Sequence, residues 1–420
     1  MTDPPRHPAR RSLPTLPDVQ PSGAAAPSMR GPLPTSNWVV PGLLLCGAEP
    51  DGPAALRLVM LGVRVFVCLQ SELPSDRPLP YRAHAERGSS SADDEPLEFV
   101  HEPIPDGTTF RDEALREVVE RVARGIAFFP PEPPAYALRE LPDGSLELCG
   151  QGALFGGLLG GGAGQGGPGR PPRLSQCEVR RLRTQPRPGG GGNSLVVALW
   201  VPCPGARVTI LHSHANAVDL GGMQFIWRQL SAALRVNILG YDYSGYGESS
   251  GAPSIRNCLA DCEACYDFLV GEKGVPEEQI VLYGQSLGTG PTSELASRKP
   301  RVGGVVLHSP LASGVRVLSP NLRWWPIWCD IFPNFKLVEK IRAPTLIMHG
   351  DKDEVIDISH ARLLHKNSAN PYPPLFAKGY THQNLEQCPD FLPTLHTFLR
   401  RVESGSGRPE SRTIDRAGTI

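Results

Sequence analysis

Net charge is almost absent from this sequence. Its 42 Lys and Arg residues stand against 43 Asp and Glu, a formal charge of −1, so no global field favours nucleic acid or any other charged partner class. Long apolar runs are missing too. Nowhere does the chain reach the 18 or more consecutive apolar residues of a spanning helix, and its N-terminus holds no apolar segment of the secretory kind. Cysteine is thinly spread, ten in 420 residues, which excludes a small disulfide-stapled module and reads as buried or surface thiols. Together these absences point to a soluble, cytoplasmic chain. Arg6, Arg10, Arg11 and Arg30 keep an organelle transit peptide as the alternative, against which the surrounding prolines and Asp3 and Asp18 weigh.

Glycine and proline, by contrast, are abundant, 45 of each, against a usual combined share of about 12%. They are concentrated. Residues 1–35 hold nine prolines and no periodic apolar pattern, the composition of a disordered tail. Eleven glycines fall between Gly150 and Gly169 and four more in Gly189–Gly192, so 126–192 reads as a linker that also contains the start of the following region. Residues 36–125 form a small αβ unit, with strand-like Leu43–Cys46, Val63–Leu69 and Phe99–His101 and helices near Ala54–Leu61 and Asp112–Arg124. A second disordered tail is expected over 404–420.

Residues 193–403 alternate short apolar runs with helical patterns, the form of a mostly parallel sheet covered by helices. Val208–Leu211, Asn237–Tyr241, Ile280–Tyr283, Gly304–Leu307 and Thr345–Met348 are expected as strands, and Leu220–Leu234, Ser254–Val270, Gly288–Arg298 and Ser359–Lys366 as helices. The fold class is α/β.

Gly284-Gln285-Ser286-Leu287-Gly288 is a G-x-S-x-G motif placed directly after a strand and directly before a helix. A bare match is common in Gly/Ser-rich loops. This context gives it a mechanical reason, because a sharp strand-to-helix turn exposes a serine Oγ at the edge of a sheet and glycines on either side let the backbone make the turn. Serine is a poor nucleophile alone and needs a base that is itself oriented by an acid. Both follow in order. Asp353 lies three residues beyond Gly350 at the end of the Thr345–Met348 strand, with Asp351 and Glu354 as the competing carboxylates, and His382 sits on a loop ahead of the last helix. The order Ser286, Asp353, His382 is that of an α/β-hydrolase. Two backbone N–H groups must then receive the oxyanion: Leu287, after the nucleophile, and Asn216, in the turn Ser213-His214-Ala215-Asn216-Ala217. Ala215 occupies a place where glycine is usual, and would be strained if the turn needs φ > 0. His212 and His214 lack a third ligand at metal-binding spacing, so no metal is expected. Cys258, Cys262 and Cys265 share one helix face and read as a buried stripe.

The motifs Ser213–Gly221, Tyr241-Asp242-Tyr243-Ser244-Gly245-Tyr246-Gly247, Tyr283–Thr289, Leu307-His308-Ser309-Pro310-Leu311 and Asp353-Glu354-Val355-Ile356-Asp357, with Phe128-Phe129-Pro130-Pro131 upstream, resemble the alpha/beta-hydrolase-domain-containing protein 17 group. The resemblance implies the α/β-hydrolase fold and a serine hydrolase, without cofactor, that removes palmitate from S-acylated protein substrates. It carries Ser286, Asp353 and His382 over as nucleophile, acid and base. A simple carboxylester or lipid ester as substrate, or a non-enzymatic scaffold, are the alternatives. The group's N-terminal cysteine cluster, which holds its members on membranes, does not precede Phe128, so how the chain makes a peripheral membrane contact is left open. Trp324, Trp325 and Trp328 fall where this fold commonly carries a lid and fit an acyl or membrane contact as well as a packed loop.

Residues 36–125 resemble the front half of a dual-specificity or tyrosine-phosphatase-like domain, on Asn37–Ala48, Leu61–Leu69 and Pro103-Ile104-Pro105-Asp106-Gly107. Such an enzyme requires a Cys-x5-Arg loop cradling phosphate. The one formal match, Cys177 to Arg183, has no glycine inside and reads as a charged strand, which leaves Asp106 without a nucleophile to serve and the unit as an inactive relic or a partner-binding module. Full-length protein is accordingly expected not to hydrolyse a generic aryl phosphate; hydrolysis that disappears in Cys177→Ser would contradict this.

Overall fold

In the computed structural model, the described residues are 127–149, 176–187, 192–318 and 330–405, with the backbone of four short strands between 36 and 104. The chain divides into two units, Met1–Thr108 and Thr109–Ile420. In the first, β1 (Ser36–Val40) pairs antiparallel with β2 (Leu44–Gly47), and β3 (Val65–Gln70) pairs parallel with β4 (Glu98–Ile104). The expected helices near 54–61 and 112–124, and the tryptophans at 324–328, lie outside the described residues.

The second unit is built on a ten-stranded sheet. Its strands are β5 (Ala137–Glu140), β6 (Leu146–Cys149), β7 (Glu178–Arg183), β8 (Leu195–Val201), β9 (Thr209–Ser213), β10 (Asn237–Tyr241), β11 (Ile280–Gln285), β12 (Gly304–His308), β13 (Thr345–Gly350) and β14 (Leu375–Ala377). They lie side by side in the order β14-β13-β12-β11-β9-β10-β8-β7-β6-β5. Pairing is parallel from β14 through β10 and antiparallel from β10 through β5. Each of the five strands expected from sequence is present and runs at most two residues further. Strands β5 to β7 come from the 126–192 stretch. Their sequences are short and bury little: β5 has no fully buried residue, β6 has Leu148, and Glu178-Val179-Arg180-Arg181-Leu182-Arg183 has Val179 and Leu182.

Alternation along the central strands explains how one sheet serves two cores. Leu211, Leu282 and Ile347 point to one face, where they meet Cys258, Cys262 and Cys265 of α2 (Ile255–Gly271), Leu295 of α3 (Thr289–Arg298) and Leu364 of α6 (Ile358–Asn367). Ile210, Tyr283 and Met348 point to the other, against Trp227 of α1 (Leu220–Leu234) and Phe391 and Phe398 of α7 (Phe391–Glu403). The short α4 (Gly314–Leu318) and α5 (Asn334–Leu337) lie between β12 and β13 in the chain. Period-2 burial on strands and the i, i+4, i+7 cysteine stripe on α2 thus place helices on both faces. The starts of α1 and α2 are capped by side chains: the Asp219 carboxylate accepts from Gly222 N (3.2 Å) at α1, and Ser254 Oγ accepts from Asn257 N (3.1 Å) at α2.

From β9 the chain moves through α1 to β10 on one side, then through α2 to β11 on the other. The reversal falls between β9 and β11, and open α/β sheets bind ligands beyond the carboxyl ends of the strands at such a point.

The packing is tight at Gly240 of β10, where an added Cβ would lie 2.2 Å from the ring of fully buried Trp227. Gly240→Ala is expected to destabilise the protein by about 1–3 kcal/mol through overpacking. Gly222→Ala, in α1 with open space around its Cβ position, is expected to be neutral or slightly stabilising. Urea denaturation of the two variants beside wild type checks the contrast, and equal midpoints would contradict it.

Candidate active site

At the end of β11 the chain turns through Ser286–Gly288 straight into α3. Ser286 has φ +51°, a left-handed conformation that costs a non-glycine residue about 1–2 kcal/mol and presents its side chain at the strand's carboxyl end. The flanking glycines are required by space. A Cβ on Gly284 would fall 2.5 Å from Gly288 O, and one on Gly288 would fall 2.1 Å from Ser213 O and 2.8 Å from His214 O. Thr289 Oγ1 donates to Ser286 O (2.6 Å) and closes the turn.

His382, on the loop after β14, lies 3.0 Å by its Nε2 from Ser286 Oγ, so the serine hydroxyl donates to the imidazole. The opposite nitrogen, Nδ1, donates to Asp353 Oδ2 at 2.7 Å, which leaves Nε2 free to accept. Of the three candidate carboxylates Asp351, Asp353 and Glu354, Asp353 is the one on the histidine ring. Asp351 Oδ1 instead accepts from Gly379 N (2.5 Å), and Glu354 Oε2 lies 3.5 Å from the His382 amide.

The Asp353 side chain is fully buried and its carboxylate saturated with donors. Its Oδ1 accepts from the amides of Val355 (3.0 Å) and Ile356 (2.8 Å); its Oδ2 receives His382 and lies 3.2 Å from His349 Nε2, which also donates to Ile356 O (2.8 Å). Burial alone would raise the carboxyl's pKa. The hydrogen bonds from His349, His382 and the Ile356 amide outweigh that and hold it well below the usual carboxylate range. His308, at the end of β12, is buried beside this group, and its Nδ1 lies 2.9 Å from Tyr283 Oη in a hydrogen bond. Burial, then the neighbouring His382 and His349, push its pKa down to about 3, so it is uncharged at neutral pH. Glu386 accepts from Gln285 Nε2 (3.0 Å), and burial raises its carboxyl pKa.

His308 and His349 stand directly after the expected strands Gly304–Leu307 and Thr345–Met348, and the sequence gives neither a role. Their support of the site depends on packing across strands, and His349 on a ring four residues from its acid; the local sequence carries no signal for either beyond position. His212 is a core residue, stacked on Tyr283 at 4.5 Å and edge-on to Trp227. Cys177, the formal phosphatase cysteine, precedes strand β7, and burial raises its thiol pKa to about 11, so it is not a thiolate at neutral pH.

The turn bearing Asn216 follows β9 and packs through Ser213 and His214 on Gly288, so the 213–217 turn and Leu287 flank the same serine. Its left-handed residue is Ala217, at φ +56°; Ala215 is not among the described positive-φ residues, and the strain expected there is displaced by two positions.

Residues 208–335 match the family described as alpha/beta hydrolase fold. Alpha/beta hydrolase domain-containing protein 17C of Xenopus tropicalis is 41% identical over 288 residues, covering 66% of this chain and 89% of that one. The chain belongs to the alpha/beta hydrolase domain-containing protein 17 family. Other relatives include the domain-containing protein aho-3 of Caenorhabditis elegans, 39% identical over 65% of this chain and 76% of that one, and protein 17B of Homo sapiens, 42% identical over 49% and 70%.

The depressed pKa of Asp353 makes a stability prediction. Its folded value lies below the unfolded value of about 3.9, so its contribution is present above that pH and is lost as pH falls through the folded value. In urea denaturation, Asp353→Asn is expected to be less stable than wild type at pH 7, with the gap narrowing below about pH 4. A gap independent of pH would contradict the assignment of the carboxylate as the ionised partner.

Proposed function

We propose that the protein is a serine hydrolase that releases long-chain acyl groups from protein cysteines through a covalent acyl-enzyme. The observation that carries the reading is the continuous chain of hydrogen bonds from Ser286 Oγ through His382 to buried Asp353. In this mechanism His382 Nε2 takes the Ser286 proton as Oγ attacks the thioester carbonyl, and Asp353 stabilises the resulting imidazolium. The oxyanion of the tetrahedral intermediate is received by the amides of Leu287 and Asn216. Collapse expels the cysteine sulfur, which takes the proton from His382 Nε2 and departs as the thiol, leaving the imidazole neutral. Water then attacks the acyl-serine with His382 again as base, the carboxylic acid departs and Ser286 regains its proton. Neutral His308 supports this cycle, since a second positive ring would disfavour the imidazolium.

The acyl thioester follows from the resemblance of the five motifs, and a thiolate is a sufficiently good leaving group that activation of water becomes the triad's harder task. S-acylated proteins would be the substrates, met at a membrane surface where their acyl chains reside.

Fluorophosphonate labelling of wild type beside Ser286→Ala tests the nucleophile: labelling confined to wild type is expected, with turnover in the variant lower by about four to six orders of magnitude. Equal labelling would overturn it. Substrate class is read separately, by release from a palmitoyl thioester against short-chain oxygen esters; preference for the short esters would discard the depalmitoylase reading and leave the hydrolase.

A further inference from the structure

Residues 127–136, ahead of β5, hold no group of the proposed chemistry, yet they are fastened at both ends to the turn after β9. At one end Asn216 Nδ2 donates to Ala127 O (2.9 Å), and Phe129 N donates to Asn216 Oδ1 (3.0 Å). That same oxygen accepts from Tyr246 Oη (2.7 Å) and from Ala217 N (3.0 Å). At the other end Ala135 N donates to Asp219 Oδ2 (2.7 Å), and Tyr136 Oη donates to buried Asp242 Oδ2 (2.6 Å), whose Oδ1 receives Leu220 N (2.7 Å). Between them, Tyr243 Oη donates to His214 O (2.6 Å).

Three donors on one amide oxygen, with the amide nitrogen spent on a fourth partner, leave the Asn216 side chain a single orientation. A solvent-facing turn has no need of such a frame. A turn whose backbone N–H must stay aimed while negative charge develops does, because electrostatic stabilisation of a transition state depends on donors already in place. The neighbouring left-handed Ala217 adds a reason, since a strained conformation persists only where surroundings impose it.

We propose that Asn216 is a positioning residue whose side chain, clamped by the 127–129 strap and by Tyr246, fixes its own backbone N–H towards the oxyanion on Ser286. The inference rests on the acyl-enzyme reading and extends it, by making the Phe128-Phe129-Pro130-Pro131 segment part of the catalytic apparatus. Any residue at 216 supplies an amide; asparagine supplies the clamp. Asn216→Ala therefore keeps the donor and removes only what holds it.

The test uses full-length Asn216→Ala and Tyr246→Phe, each assayed for kcat and KM on an activated ester and for binding of an alkyl boronate, which mimics the tetrahedral anion. Asn216→Ala is expected to lower kcat by about 10- to 100-fold with KM within about twofold, and to weaken the boronate in proportion. Tyr246→Phe, which removes the hydroxyl that donates to Asn216 Oδ1 and also accepts from Phe129 N (3.1 Å), is expected to lower kcat by about 2- to 10-fold. Unchanged kcat and boronate affinity overturn the clamp, as does a loss of thermal stability with kcat retained; if Asn216→Ala does not fold, Tyr246→Phe decides alone on the same terms. Fluorophosphonate labelling of wild type separates the two levels. Absence of labelling at Ser286 defeats the hydrolase reading, whereas labelling and turnover that both variants match defeat the clamp only.

Discussion

The backbone turn through Ser286 couples the sheet to the site. At φ +51° the serine leaves β11 and enters α3 within three residues, and this is sterically feasible because Gly284 and Gly288 let Thr289, Gly288 O and Ser213 O approach to distances that a Cβ would forbid. Since Gly288 rests on Ser213, the turn after β9 is brought against the elbow by the same close approach. The position of Ser286 relative to 213–217 is therefore set by backbone contact between adjacent parallel strands, the most rigid reference the fold offers. His382 and Asp353 come from the loops after β14 and β13, and meet the serine because those strands continue the same parallel register.

Asp353 keeps its negative charge in a buried place by accepting from two amides and two imidazoles, the compensation a buried charge requires. His308 is uncharged and Glu386 is pushed towards its neutral form, so neither competes with a proton arriving on His382.

Much of this was legible in residue order. The parallel strands announce themselves as short apolar runs, and G-x-S-x-G between a strand and a helix is a local pattern with a local cause. The acid and base could be placed because they follow the ends of recognisable strands. What sequence did not disclose is support across the fold. His349 and His308 act through burial beside Asp353 and His382, and β5 to β7 take short or charged residues into the sheet's far edge, where half-exposed strands carry little apolar signal. The four bonds to the Asn216 side chain join residues up to 89 positions apart, a relation no spacing rule contains. Ala215 misled for a similar reason: the strained position of a turn is chosen by the backbone, and here it falls on Ala217.

The proposed mechanism passes through an acyl-serine, and that species is open to direct observation. Rapid quenching of the full-length protein mixed with a palmitoyl thioester, followed by intact and peptide mass spectrometry, is expected to show a transient palmitoyl adduct on Ser286 that decays as free acid appears. In His382→Ala the adduct should not accumulate at the wild-type rate. Thioester turnover without an adduct on Ser286, or with one on a cysteine, would contradict the account.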